Sequence, residues 1–432
     1  MTAIPLRRNP CRLRDRIVAC LAVALTLGLS APVTATAAEP ELGIGDPGLP
    51  ETRNVIDIAP GVTLTRIDRG LPLDDPDDIR TTTTGPWVVN VLSIDPSVAK
   101  GRMVVADGPT IAETETVQDI AQYAGALAAI NSSFFTFTGD ADYPGDAGGL
   151  AIRGGKVISE PSLTQEREVD LIFNSQTNRM QITKTTWTGT LTMPGTTLHL
   201  ERLNHRPSVP EACEDLEDQT TCAEDGDTVR FDDRFSAATP PGHGVEVVFD
   251  AKGCVVSTHD TRGLALSAGQ TSVQATGSDA KTLAALGEAG GCGTWKDRVV
   301  DEDGHAIPLT SHTWAVTGRV PLLKDGVSVV PPAEQIPEDG MDFFLRHPRT
   351  FVGQTADGVW KLVVVDGRST TSVGSSMWES AQIARDLGMV DAINLDGGGS
   401  TTMVANGELV NLPQGETTQR KVGDAMAWLP AG

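Results

Sequence analysis

The chain has 432 residues, and its 57 acidic against 34 Lys and Arg side chains give it a formal net charge of −23. An acidic surface excludes most nucleic-acid binders, which need a basic footprint, but leaves room for an anionic substrate held by a few local arginines. The length suits one large domain or two smaller ones.

At the N-terminus, Arg7, Arg8, Arg12, Arg14 and Arg16 precede an apolar run from Ile17 to Leu29, and Ala35-Thr36-Ala37-Ala38 follows. A basic n-region, an apolar h-region and a small-residue cleavage site predict a Sec-type signal peptide over residues 1–38. The run is too short for a membrane span, and no later segment is long enough for one. Cys20 lies inside the apolar run, which argues against a lipoprotein anchor. The expectation is a secreted, extracellular protein with no membrane insertion after cleavage. Residues 39–60, rich in Pro, Gly and acids, read as a flexible leader. Asp74, Asp75, Asp77 and Asp78 adjoin prolines and read as a solvated loop.

Trp87 to Asp95 is strand-like, and Val117, Ile120, Ala121, Ala124 and Leu127 form a helical stripe leading into Ala129-Ile130-Asn131. Glu211 to Asp227 is acid-rich and holds two cysteines, which predicts an exposed, disulfide-pinned insertion near 205–230. Cys213, Cys222, Cys254 and Cys292 lie beyond the signal segment. An even count in an exported chain predicts disulfides; three pairings can be drawn, and the local pairs Cys213–Cys222 and Cys254–Cys292 are preferred. No CxxC spacing supports zinc. Gly244 to Ser257 reads as a hairpin.

The C-terminal part is the most informative. Lys361 to Val365 reads as a buried strand ended by Asp366-Gly367-Arg368-Ser369, then a helix runs from about Ser376 to Leu387, and Ala392-Ile393-Asn394-Leu395 forms a second strand. Strand, helix and strand in this order suggest a βαβ-like unit with both strands ending at one rim, so that Asp366, Arg368, Asn394 and Asp396 gather there. The fold class expected is therefore α+β, a mixed β-sheet core with packed helices, with a Gly-rich loop carried by the βαβ-like unit. The Ala-Ile-Asn tripeptide recurs at Asn131 and Asn394, and a short internal repeat of the plan would bring both Asn side chains to comparable strand ends.

That loop is Asp396-Gly397-Gly398-Gly399-Ser400-Thr401. Three glycines leave the backbone bare, so a ligand can approach and successive N–H groups can converge on an anion. Asp396 beside them suits a base, a nucleophile or a metal ligand. Arg349 and Arg368 suit phosphate, because a guanidinium grips phosphate oxygens bidentately.

Several segments resemble the phosphodiester glycosidase family: Arg346-His347-Pro348-Arg349-Thr350, Val365 to Ser369, Ile393 to Thr401, Arg420 to Ala425, and more loosely Ala129 to Phe135. The chain departs from the family pattern at Ser132-Ser133 and at His347. The resemblance runs with gaps over 61–430 and implies one catalytic domain that hydrolyses the glycosidic bond of sugar-1-phosphodiesters, of which N-acetylglucosamine-1-phosphodiesters are one kind. The products would be free sugar and a phosphomonoester. A phosphomonoester already leaves well, so such a site needs anion-holding groups and a carboxylate more than a strong general acid.

On this reading the catalytic candidates are Asp396, Asp366 and Glu379, in that order, and the substrate-binding candidates are Asn131, Arg349, Thr350, Arg368, Asn394, Gly397, Gly398, Gly399, Ser400 and Thr401. Each has a plainer role as well. Asp366 could pair with Arg368, Glu379 could serve its helix dipole, the two Asn could cap strands, and Phe134 and Phe135 could be core rather than a sugar platform. No cofactor is expected, although the acids leave room for calcium. The expected partner is a sugar-phosphodiester or cell-envelope glycan, with exopolysaccharide included, and not nucleic acid. A metal-dependent phosphoesterase and a non-catalytic carbohydrate-binding protein are the competing functions.

Overall fold

The computed structural model describes residues 40–137, 139–162, 168–414 and 418–431, so the expected signal peptide lies outside the described residues. Strands dominate. The largest sheet has eight, in the spatial order Glu51–Ala59, Val62–Arg69, Trp87–Ile94, Trp360–Val365, Arg349–Thr355, Met389–Asn394, Pro321–Lys324 and Val327–Ser328. Every neighbouring pair in it is antiparallel. A five-stranded antiparallel sheet holds Ala128–Asn131, Met403–Ala405 and Asp424–Pro430, and another holds Thr313–Arg319 beside Glu168–Asn174.

The α+β expectation is therefore corrected: the protein is mostly β, built of several antiparallel sheets with few helices. The βαβ-like unit fails for a specific reason. Trp360–Val365 and Met389–Asn394 do not pair, because Arg349–Thr355 lies between them and runs antiparallel to both. Sequence order showed the helix joining the two strands but not the earlier strand that pairs with each. Being antiparallel to the same neighbour, the two strands still point the same way, and Val365 and Asn394 both end beside the start of Arg349–Thr355.

Alternation explains why the central strands read as continuous apolar runs. Val363 and Val365 enter one core with Met377, Ala381, Ile383 and Ala384 of the Met377–Asp386 helix, whereas Leu362 and Val364 enter a second core with Ile130, Met403 and Met426. A strand buried on both faces has no polar stripe. The helix starts at Ser376 with a reciprocal capping box to Glu379, and Gly388 follows it in the left-handed region at φ +78°. Among the described residues no helix is long and apolar enough to cross a membrane.

The leader is also corrected. Within 39–60, Glu51–Ala59 is an edge strand, and Leu42 and Ile44 are buried in the first core. Arg69 ties this segment down, donating to the Ile44 carbonyl at 2.9 Å. The acid-rich insertion contains two short 3-10 turns joined by Cys213–Cys222, and Cys254–Cys292 forms the second disulfide, so the local pairing holds. Asp75 accepts the Asp77 N–H, a turn within the acidic loop.

Candidate active site at the glycine-rich rim

The Met389–Asn394 strand runs into Leu395 and Asp396, after which the backbone tightens into a 3-10 turn over Gly398–Ser400. Gly398 sits at φ +62°, a conformation most side chains resist. A Cβ there would come within 3.3 Å of the Arg368 guanidinium, and one at Gly399 would collide with the Arg420 guanidinium. The glycines thus let two arginines lie directly on the loop.

Asp396 is held by a segment distant in sequence. Its N–H donates to the Ser132 carbonyl at 3.0 Å, and the Asn131 side-chain amide donates to its carbonyl at 2.7 Å. Asn131 Oδ1 in turn accepts the Thr350 hydroxyl at 2.7 Å and the Thr402 N–H at 3.1 Å. Beneath this, buried Asp424 accepts from the Ser132 and Ser133 hydroxyls and the Ser133 N–H, all at 2.7 Å, and pairs with Arg153 at 2.6 Å. Asn131 and Thr350, read from the sequence as substrate contacts, are buried and serve as this bridge.

The Asp396 side chain is half-buried, and burial pushes its pKa up to about 6. The Ser400 hydroxyl, the Gly397 N–H and the guanidinium groups of Arg420 and Arg319 pull the other way. Arg319 and Arg420 are the residues that the sequence candidates missed. Arg319 lies 4.2 Å over the Phe134 ring and pairs with Glu168 at 3.1 Å; Arg420 lies 4.9 Å from the Phe137 ring. Arg319 ends an ordinary strand and carries no motif. Arg420 belongs to a quoted segment, but nothing in its spacing aims it at Gly399. Phe134 supports an arginine, and Phe135 packs edge-on to Phe137 with centroids 5.8 Å apart.

Arg368 is exposed at φ +58°, and its Nε and Nη2 lie 3.2 and 3.0 Å from His347 Nδ1. His347 Nε2 faces the Asp342 carbonyl at 2.9 Å. Burial, then the charges of Arg349 and Arg368, lower the His347 pKa, so a neutral ring accepts from Arg368 and donates to Asp342.

The remaining candidates separate. Asp366 is half-buried, and burial pushes its pKa up to about 6. It accepts from Asn411 at 2.8 Å, and Asn411 also donates to the Thr401 carbonyl, so Asp366 braces the far end of the loop. Arg349 is buried, with Nε donating to the Ser375 carbonyl and Nη2 to the Phe343 and Leu345 carbonyls. Its pKa falls to about 9, chiefly through burial. Glu379 is committed to the helix cap and to Arg346, whose Nη2 it holds at 2.6 Å. Asn394 donates to the Leu395 carbonyl at 2.9 Å, while its Oδ1 and the Thr401 and Thr402 hydroxyls are buried without a partner among the described residues. Such hydrogen-bonding capacity left unmade is concentrated here, beside the loop.

Among the described residues one group has metal-ligand spacing, Asp301, Asp303 and His305. Asp301 Oδ1 is already engaged by the N–H groups of Asp303 and His305. The site around Asp396 has instead three guanidinium groups that suit an anion, set beside one carboxylate, while the N–H groups of Gly398, Ser400 and Thr401 are already donated to the Pro348, Gly397 and Gly398 carbonyls and that of Gly397 to Asp396.

Residues 243–428 match the phosphodiester glycosidase family. The mouse N-acetylglucosamine-1-phosphodiester alpha-N-acetylglucosaminidase is 46% identical over 65 residues, which is 15% of this chain and 12% of that enzyme. The SPbeta prophage-derived uncharacterized protein YomE of Bacillus subtilis (strain 168) is 36% identical over 70 residues, 16% of this chain and 11% of its own length. The chain thus spans only a small part of the curated relatives that it matches. In fold it is similar to a protein from Burkholderia pseudomallei K96243 described as exported, with TM-score 0.73 and 23% identity over 90% of this chain and 98% of that one. It is also similar to a hypothetical protein from Synechocystis, with TM-score 0.60 and 19% identity over 87% of this chain and 63% of that one. Over residues 243–428, which include Arg319, Arg368, Asp396 and Arg420, this chain is thus similar to the phosphodiester glycosidase family.

Proposed function

We propose that the chain hydrolyses the glycosidic bond of a sugar-1-phosphodiester, of the N-acetylglucosamine-1-phosphodiester kind, to free sugar and a phosphomonoester. The observation that carries this reading is Asp396 standing beside a bare glycine loop on which Arg368 and Arg420 lie, with Arg319 acting on the same carboxylate. The guanidinium groups hold the phosphate and stabilise the charge that grows on it as the C–O bond breaks. Asp396, ionised above about pH 6, then attacks the anomeric carbon or draws a proton from the attacking water. Both routes end with one water consumed, its hydroxyl on the sugar and its proton with the phosphomonoester.

The test is incubation with UDP-N-acetylglucosamine and a panel of sugar-1-phosphodiesters in oxygen-18 water, with mass spectrometry of both products. Label in the sugar is expected. Label in phosphate would replace this reading with a P–O phosphoesterase. Export is part of the proposal, and the two disulfides support it, since they persist in oxidising compartments.

A further inference from the structure

Phe137 is 46% exposed, and among the described residues no other phenylalanine or tryptophan is exposed. Apolar side chains shown singly on a surface are ordinary. This one is displayed against a backbone preference. It holds φ +51°, in the left-handed region that an aromatic residue seldom enters. The surrounding chain imposes that conformation. The Phe137 N–H donates to the Pro144 carbonyl at 2.9 Å, the Thr136 N–H to the Asp146 carbonyl at 2.8 Å, and the Gly148 N–H to the Phe134 carbonyl at 2.9 Å. Contacts from outside pin the same turn. Gly145 donates to the Ala112 carbonyl at 2.8 Å, His205 pairs with Asp146, and Arg206 pairs with Asp140 at 2.7 Å. A strained residue persists where its surroundings over-determine it, and ligand sites are a common place for one.

The ring stands at the edge of the Asp396 site. The Arg420 guanidinium lies 4.9 Å from its centroid, and a Cβ on Gly399 would collide with that same guanidinium. The charge of Arg420 also acts on the Asp396 carboxyl. Phe135 braces the Phe137 ring edge-on, with centroids 5.8 Å apart and the planes at 78°. Three residues before Phe137, the half-buried Phe134 lies under Arg319. One pinned turn thus sets an enclosed aromatic against one arginine of the site and an exposed aromatic against another.

The phosphodiester proposed above has a charged part and an uncharged part beside Asp396. The guanidinium groups claim the phosphate. The sugar carries hydroxyls at its ring edge and C–H bonds on its faces. An exposed aromatic ring next to a guanidinium answers both: the aromatic face takes the C–H bonds, and the guanidinium donates to hydroxyl oxygens. Arg420 connects Phe137 to the carboxylate that acts at the anomeric carbon, which puts the sugar and not the alcohol on this side. Resting on the reaction proposed above, we infer that Phe137 is the platform on which the sugar ring of the phosphodiester stacks.

The experiment is calorimetric titration with N-acetylglucosamine-1-phosphate and with methyl phosphate, which keeps the phosphate and lacks the sugar. It uses the full-length protein carrying Asp396→Asn, so that neither probe is turned over, alone and combined with Phe137→Ala or Phe137→Tyr. Phe137 lies outside the core, and circular dichroism controls for folding. The sugar phosphate is expected to bind tighter than methyl phosphate, and Phe137→Ala to weaken it by roughly ten-fold while methyl phosphate stays within about two-fold; Phe137→Tyr keeps the preference. No preference for the sugar phosphate, or a preference that survives Phe137→Ala, overturns the inference. An equal loss for both probes also overturns it, because Phe137 would then serve only to hold Arg420 through its ring. Turnover of UDP-N-acetylglucosamine without Asp396→Asn separates the two readings. Hydrolysis with an unchanged KM in Phe137→Ala keeps the reaction and removes the platform. A sugar preference that depends on Phe137, with no hydrolysis, keeps the platform and removes the reaction.

Discussion

The Asn131 side chain donates to the main-chain carbonyl of Asp396 at 2.7 Å, joining two sheets across 265 positions of sequence. The same amide group receives the Thr350 hydroxyl and the Thr402 N–H, so one side chain registers three separate segments. Asn131→Ala is expected to destabilise the fold by about 2–4 kcal/mol, because buried partners are left unsatisfied. Chemical denaturation measures this, and a shift within experimental error would mean that the bridge is redundant.

Asp396→Asn is expected to lower kcat by roughly 10²–10⁴-fold while the protein remains folded, the range for loss of a positioned acid–base group. Asp366→Asn should have a smaller effect, since Asp366 acts through Asn411 on the loop. Comparable losses in both, measured by product formation with circular dichroism as the folding control, would make Asp366 a direct participant.

The raised pKa of Asp396 has two consequences that differ in sign. As a base or nucleophile it must be ionised, so activity should rise with pH through about 6. Stability moves oppositely. The folded state holds this proton up to about pH 6, whereas an unfolded Asp releases it near about 3.9, so the native state binds more protons between those values. Stability contributed by this group is thus fully present below the unfolded pKa and is lost as pH rises through the folded one. Asp396→Asn should therefore raise the Tm relative to the parent at pH 7–8 (roughly the neutral range of maximal stability), with the advantage gone near about pH 4. Thermal melts across pH decide this; a constant offset would show that the carboxyl is not buried in solution.

Arg420→Ala and Arg368→Ala should each raise KM for a phosphodiester by about 10-fold or more with little change in Tm, as expected for charge-assisted bonds to a bound anion. Arg349→Ala should instead lower the Tm, because three backbone carbonyls lose their donor. Steady-state kinetics alongside melting curves separate the two behaviours.

Glu379→Ala should cost about 1–2 kcal/mol in stability through loss of the capping box and the Arg346 pair. kcat/KM should stay within about two-fold of the parent, since the carboxylate is committed to holding its helix. A loss of several orders of magnitude in kcat/KM, with the Tm unchanged, would return Glu379 to the catalytic set.

By itself the sequence determined what local chemistry determines. The Met377–Asp386 helix was legible from its stripe and its glycine stop, the Gly244–Ser257 hairpin from its alternation, and the loop after Asp396 from its glycines, because propensity and turn geometry depend on neighbours in the chain. Asp396 and Arg368 were legible as a pair of rim groups since the strands that deliver them point the same way. The tertiary structure alone decided the rest. Arg349–Thr355 inserts between two strands that look adjacent, which turned an expected βαβ-like unit into antiparallel sheet, because strand pairing is settled by which faces bury together and not by order. Arg349 and Arg368 are the same residue type nineteen positions apart, yet one is spent on carbonyls and the other lies on the glycine loop. Arg319 and Arg420 join that loop only through long-range packing, and no spacing in the chain records where a folded surface brings a guanidinium to rest.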